Sequence, residues 1–262
     1  MQMADLGDVR LHYRIDGPED GAPLVFSNAL GTDLRIWDRV VAQLPDGLRI
    51  LRYDTRGHGL SDAPEGSYSM GMLVRDLEQL MAHVEMRDAV VVGLSLGGMI
   101  AQGLAAKRLD LVRALVLSNT ACKIGTRAIW EQRIAQVEAG GITALAEGTL
   151  QRWFSSRFRQ TPEFAAWRNM LERAPLQGYL GCCHAIAGTD FITPTSGLRL
   201  AALGIAASED GSTPPDLVRE TTELIPGAQF RLIRGAGHIA CVEAADAYAA
   251  VLSEFLAAQG HI

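Results

Sequence analysis

Cysteine is scarce: Cys122, Cys182, Cys183 and Cys241 are the only four in 262 residues, and no two are spaced Cys-x-x-Cys. That excludes a disulfide-stapled scaffold and a zinc module built on paired cysteines. Cys182-Cys183-His184 is the one local cluster. Adjacent helical residues point in different directions, so core packing is expected there and a metal site is not. No apolar run is long enough to span a membrane. The start, Met1-Gln2-Met3-Ala4-Asp5, lacks the basic region followed by an apolar one that marks a signal peptide. A cytoplasmic chain with reduced thiols and no membrane partner is expected. Excess positive charge is also missing, since 24 Lys and Arg stand against 30 Asp and Glu for a net −6. Nucleic acid is therefore a poor candidate partner. Internal repeats and low-complexity stretches are absent.

What is present is a large apolar fraction, 48%, enough at this length for one sizeable core. Short β-branched runs alternate with helical stretches. Strands are expected near 9–15, 24–27, 49–53, 89–92, 113–117, 202–207 and 230–233. Helices are expected near 70–85, 98–107, 215–224 and 243–256. The alternation implies an α/β fold with a mostly parallel sheet covered on both faces. It stops between 122 and 194, where the chain turns helical. Trp130, Ile134 and Val137 there share one face, and Phe164, Trp167 and Leu171 share another. The expected organisation is a core of residues 1–121 and 195–262 with a helical lid over 122–194. The lid segment carries eight Lys and Arg against six Asp and Glu, a net +2 within the acidic chain, which suits a small anionic ligand.

Gly93-Leu94-Ser95-Leu96-Gly97 joins the run Ala89-Val90-Val91-Val92 to the apolar stretch from Gly98 to Ala106. A serine at so sharp a strand-to-helix turn stands clear of the backbone only if the residues two before and two after it are too small to collide. Both are glycine, and the pattern in this setting is the nucleophile elbow of the α/β-hydrolases. The N–H of Leu96 opens the following helix, where donors lack partners and the dipole favours negative charge.

An acid and then a histidine should follow the serine in chain order. His238, in the loop Gly235-Ala236-Gly237-His238 just past a strand, is the candidate base. His58 is the rival, but it precedes the serine and fits better as a brace for its own loop. Asp210, in Glu209-Asp210-Gly211-Ser212-Thr213-Pro214 at the end of the preceding strand, is the candidate acid, with Glu209 as the neighbouring alternative. Aspartate suits a tight hydrogen-bonded turn. The strand before that ends in Ser118-Asn119-Thr120 and offers no carboxylate. A second oxyanion donor belongs in the loop after Leu24-Val25-Phe26-Ser27. By the pattern of such enzymes, counted back from Trp37, it is the N–H of Leu30.

The resemblance then becomes specific. Ser27-Asn28-Ala29-Leu30-Gly31-Thr32-Asp33, Tyr53-Asp54-Thr55-Arg56-Gly57-His58-Gly59-Leu60-Ser61-Asp62 and Ser118-Asn119-Thr120-Ala121 are similar to segments of the 3-oxoadipate enol-lactonases. So are Trp153-Phe154, Gly178-Tyr179-Leu180-Gly181-Cys182-Cys183, the Asp210 loop and the His238 loop. The likeness spans nearly the whole chain, including the helical middle where generic hydrolases diverge. Ala207, Ala240 and Ala201-Ala202 depart from the common pattern, and these bear on local backbone only.

That resemblance implies hydrolysis of a small anionic enol-lactone by Ser95, His238 and Asp210, with the N–H groups of Leu30 and Leu96 binding the oxyanion and no cofactor or metal. The rivals are another small-ester hydrolase or perhydrolase, and a ligand receptor that uses the fold without turnover. Trp130 and Arg133 lie one turn apart on the first helix of the lid segment, so Trp130 is expected to pack on the lactone ring and Arg133 to pair with its carboxylate. Arg127, Arg152, Arg157, Arg159, Arg168 and Arg173 compete for that second role.

Overall fold

Every residue of Ala89–Leu94 is buried, and since side chains alternate across a strand this run must be covered on both faces. Burying each of its valines stabilises the fold by roughly 1.5–3 kcal/mol. In a computed structural model describing residues 1–262, it is β5 of one eight-stranded sheet. The others are β1 (Gln2–Asp5), β2 (Arg10–Asp16), β3 (Ala22–Ser27), β4 (Leu48–Tyr53), β6 (Val112–Ser118), β7 (Ala201–Ala207) and β8 (Gln229–Ile233). The strand order is β1-β2-β4-β3-β5-β6-β7-β8. β1 and β2 pair antiparallel at one edge, and β3 to β8 all run parallel.

The helices are α1 (Asp38–Val41), α2 (Met70–His83), α3 (Leu96–Lys107), α4 (Arg127–Gly140), α5 (Thr143–Trp153), α6 (Phe164–Glu172), α7 (Leu176–Ala187), α8 (Ile192–Ser196), α9 (Pro215–Glu223), α10 (Ala240–Glu243) and α11 (Ala245–Ala258). Ser69 caps α2 by accepting the N–H of Met72, and Thr126 caps α4 by accepting that of Ile129. Each such cap is worth about 1 kcal/mol. None of the helices is long and apolar enough to cross a membrane. All four cysteines are free and buried.

Each expected strand is present, and β1 is an addition. Only Ala4 of its four residues is buried, too short a pattern to reveal alternation. The expected 243–256 helix is broken at Ala244 (φ −132°, ψ 48°). There Glu243 turns its carboxylate to the N–H groups of Gly237 and Ser155.

Helices α4 to α8 are inserted between β6 and β7, with α4 packed on α7 and α5. Trp130, Ile134 and Val137 are buried as their spacing implies. On the second face Leu171 is buried, while Phe164 and Trp167 are only partly covered.

Register brings the carboxyl ends of the parallel strands to one rim. Ser27 of β3 pairs with Gly93 of β5, Leu94 with Ser118 of β6, Ser118 with Ile205 of β7, and Ala207 with Ile233 of β8. The loops carrying Leu30, Ser95, Asn119, Asp210 and His238 therefore leave the sheet side by side, where open α/β sheets bind their ligands.

Candidate active site

Ser95 has φ +57° and ψ −115°, a conformation costing a non-glycine residue of order 1–3 kcal/mol. Its surroundings hold it there. Its N–H donates to Ser118 O at 3.0 Å and its carbonyl accepts Thr120 Oγ1 at 2.6 Å. A Cβ on Gly93 would lie 2.3 Å from Gly97 O, and one on Gly97 would lie 2.1 Å from Ser27 O. Both positions of the elbow therefore require glycine.

Asp210 and His238 meet, Nδ1 to Oδ2, at 2.8 Å, and both are buried. The carboxylate is fully engaged. Oδ1 accepts the N–H groups of Ser212 at 2.7 Å and Thr213 at 3.0 Å, while Oδ2 also accepts Thr213 Oγ1 at 2.8 Å and Asn119 Nδ2 at 2.9 Å. Burial opposes ionisation, but the charge and hydrogen bond of His238, with the donors of Thr213 and Asn119, hold the Asp210 pKa below the ordinary carboxylate value. Glu209 is exposed and makes no such contact.

Ser95 and His238 line one cavity of about 900 Å³ with Leu30, Trp130, Arg133 and Arg152. No hydrogen bond joins Ser95 Oγ to the imidazole. Catalytic hydrogen bonds are commonly loose without substrate and tighten in the complex. The N–H of Leu30 donates to no protein group. That of Leu96, at the first position of α3, has no intrahelical acceptor. Leu30 lines the cavity with Ser95 and Leu96 follows Ser95 in the chain, so two separate elements near the serine each carry an unsatisfied donor.

The cavity wall contains Arg133 and Arg152 and no acidic residue. Arg133 donates to Tyr179 Oη at 3.0 and 2.5 Å and to Thr149 Oγ1 at 2.9 Å, and Arg152 donates to the same Thr149 hydroxyl at 3.4 Å. Neither takes part in a salt bridge. Burial first, and then the charge of Arg133, lowers the pKa of Arg152 from its ordinary value. Two neighbouring guanidiniums without a counter-ion, on a largely apolar wall, suit a small carboxylate.

Trp130 and Arg133 both reach the cavity, as their one-turn spacing on α4 predicts. The Trp130 Nε1 is spent on Ile124 O at 2.6 Å, and the Arg133 guanidinium lies over the indole, 5.7 Å from its centroid. Among the competing arginines, Arg127 pairs with Glu131 and Arg168 with Glu147 and Glu172. Arg173 lines a different cavity. Arg152 is the one that joins Arg133. Sequence reasoning did not single out Thr149, Thr213 or Asn119. Asn119 carried a weak signal, as one of three polar residues, Ser118-Asn119-Thr120, where β6 ends beside the strand of Asp210.

A strained serine at a strand-to-helix turn, backed by a buried carboxylate–imidazole pair at the next strand ends, is the arrangement of an α/β-hydrolase. A model of the Alpha/beta hydrolase family matches residues 24–251, and the chain belongs to that family. Within it, the chain is 32% identical to 3-oxoadipate enol-lactonase 2 of Acinetobacter baylyi over 243 residues, which is 92% of this chain and 91% of that protein. It is equally 32% identical to 3-oxoadipate enol-lactonase 1 of the same organism, over 94% of this chain and 92% of the relative. The crystal structure of the enol-lactonase from Burkholderia xenovorans LB400 superposes with a TM-score of 0.94 at 36% identity, covering 98% of this chain and all of that one. The likeness includes the helices between β6 and β7, which line the cavity.

Proposed function

We propose that the protein hydrolyses 3-oxoadipate enol-lactone to 3-oxoadipate, a ring-opening step in the breakdown of aromatic acids. The observation that carries this reading is the pair of uncompensated arginines, Arg133 and Arg152, in the same cavity as Ser95 and His238. A neutral-ester hydrolase has no use for two cations there. An enol-lactone with an acetate arm presents one carboxylate throughout the reaction.

Ser95 Oγ attacks the lactone carbonyl as His238 Nε2 takes its proton, and Asp210 on Nδ1 fixes the tautomer and stabilises the imidazolium. The N–H groups of Leu30 and Leu96 bind the tetrahedral oxyanion. Each such donor is typically worth ~2.7–4 kcal/mol in the transition state. Collapse breaks the bond between acyl carbon and ring oxygen and releases an enolate still tethered to the acyl-enzyme. Its charge delocalises onto carbon, so it leaves readily; the His238 imidazolium gives up its proton to it, which makes the ketone and leaves a neutral imidazole. Water, deprotonated by His238, then attacks the ester of Ser95 and frees a second carboxylate. Trp130 covers the ring, while Arg133 and Arg152 hold the acetate arm.

The test is steady-state turnover of authentic enol-lactone beside simple aryl esters. A kcat/KM for the lactone at least a hundredfold above that for the esters, with multiple-turnover release of 3-oxoadipate, is expected. Preference for neutral esters would reassign the protein as a general esterase. Binding without turnover would make it a receptor.

A further inference from the structure

Leu30 can serve as an oxyanion donor only if its peptide is held still. The peptide Ala29–Leu30 is planar and trans, so its C=O and N–H point in opposite directions. The carbonyl end is held by Thr32, whose N–H and Oγ1 both donate to Ala29 O, at 3.2 and 2.8 Å. The following peptide, Leu30–Gly31, is held by its own N–H, which donates to His58 Nε2 at 2.8 Å. Gly31 sits at φ +78°, in the left-handed region that glycine adopts without steric cost.

His58 is buried and lies outside the Ser95 cavity. Accepting at Nε2 requires the tautomer protonated on Nδ1, and Nδ1 faces the carbonyl of Arg56 at 3.3 Å. Arg56 is fixed in turn, its guanidinium bidentate to buried Asp76 at 2.7 Å on both arms. Burial keeps the His58 pKa down at about 4, so the acceptor lone pair persists at neutral pH. A rigid chain thus runs from Asp76 through Arg56 and His58 to the residue following the free N–H.

We infer that His58 is a positioning residue for the oxyanion hole, its neutral Nε2 holding the Gly31 amide so that the Leu30 N–H stays aimed at the developing oxyanion beside Ser95. This rests on the proposed acyl-enzyme reading, within which it assigns His58 a part in the chemical step without contact to substrate.

Two substitutions separate the two ends of the ring. His58→Asn keeps an N–H in the place of Nδ1 and removes the acceptor. His58→Gln supplies an oxygen in the place of Nε2. With folding checked by thermal melts, His58→Asn is expected to lower kcat by about 10- to 100-fold, a part of what removing an oxyanion donor costs. KM should change less than about threefold. The loss should be the same on the anionic lactone and on a neutral aryl ester, and His58→Gln should recover most of it. A folded His58→Asn with wild-type kcat overturns the inference, as does a loss that His58→Gln leaves unrelieved. Should His58→Asn not fold, His58→Leu, which removes the acceptor and keeps an apolar side chain in the buried position, carries the test. The same fall in kcat at near-constant KM is expected there, and wild-type kcat overturns the inference. Ser95→Ala is assayed alongside. If it is inactive while the loop variants are normal, the positioning role alone falls; if it remains active, the acyl-enzyme reading falls and takes the positioning role with it.

Discussion

Gly211, the residue after Asp210, donates its N–H to the carbonyl of Arg152 at 3.1 Å. The next carbonyl of α5, that of Trp153, accepts the N–H of Ile239, the residue after His238, at 3.2 Å. The last carbonyls of a helix lack intrahelical donors, and at this helix end two of them are satisfied by the acid loop and the histidine loop. Arg152 therefore shares its residue between the two tasks: its side chain enters the cavity and its backbone fixes the neighbour of Asp210. The end of α5 cannot swing away from the dyad without breaking these bonds, so any opening of the inserted helices has to leave it in place.

Ser95→Ala is expected to fold with an unchanged melting temperature and to lose activity by roughly a million-fold, because members of a triad act as a unit. Removing a hydroxyl from the strained turn leaves its supports at Ser118 and Thr120 intact. Turnover measured with enzyme freed of wild-type contamination checks this, and residual activity within a hundredfold of wild type would remove the elbow from the mechanism.

Asp210→Asn is expected to cost on the order of ten-thousand-fold in kcat, since an amide there favours the wrong imidazole tautomer. Glu209→Gln should be nearly silent, its side chain being exposed. Exchange of the two outcomes would mean that the acid has been misassigned. The same carboxylate bears on stability. Its folded pKa lies below the unfolded value of about 3.9, so its contribution is fully present above that value and is lost as pH falls through the folded one. The difference in melting temperature between wild type and Asp210→Asn should shrink as pH is lowered below about 4.

Gly97→Ala is expected to destabilise the fold and to abolish activity. The added Cβ would sit 2.1 Å from Ser27 O and 2.8 Å from Asn28 O, backbone atoms where β3 passes into the loop leading to Leu30. Relief requires moving either the elbow or that loop. A cost of roughly 2–4 kcal/mol, read from chemical denaturation, is in the range for overpacking against backbone. Wild-type stability would show that the elbow relaxes freely.

The elbow, Asp210 and His238 were legible because each depends on local signals: glycines that a close approach demands, β-branched runs ending in polar turns, and chain order. The sheet was readable from β2 to β8 for the same reason. The partners of Asp210 were not. Asn119 lies 91 residues from it, and only the parallel pairing of β6 with β7 brings them to 2.9 Å. The choice among the arginines was equally hidden in sequence. Arg152 on α5 and Arg168 on α6 are both helical arginines of the inserted segment, and what separates them is that Glu147 and Glu172 lie within reach of Arg168 while no carboxylate reaches Arg152.

That difference sets the final prediction. Arg133→Ala and Arg152→Ala should each lower kcat/KM for the enol-lactone by about 10- to 100-fold, if a lost charge-assisted bond is worth roughly 1.5–3 kcal/mol. Hydrolysis of a neutral aryl ester should change little. Of the two, Arg152→Ala is the cleaner measurement. Arg133 also satisfies the buried Tyr179 hydroxyl, so its removal carries a stability cost unrelated to substrate. Two neighbouring guanidiniums repel each other, and a bound dianion relieves that repulsion. Adipate should therefore raise the melting temperature of wild type in proportion to the logarithm of its concentration once above its Kd, and this shift should vanish in the double variant. Equal losses on charged and neutral substrates in Arg152→Ala, with the adipate shift retained, would assign these arginines to packing and leave the carboxylate of the substrate without a receptor in this cavity.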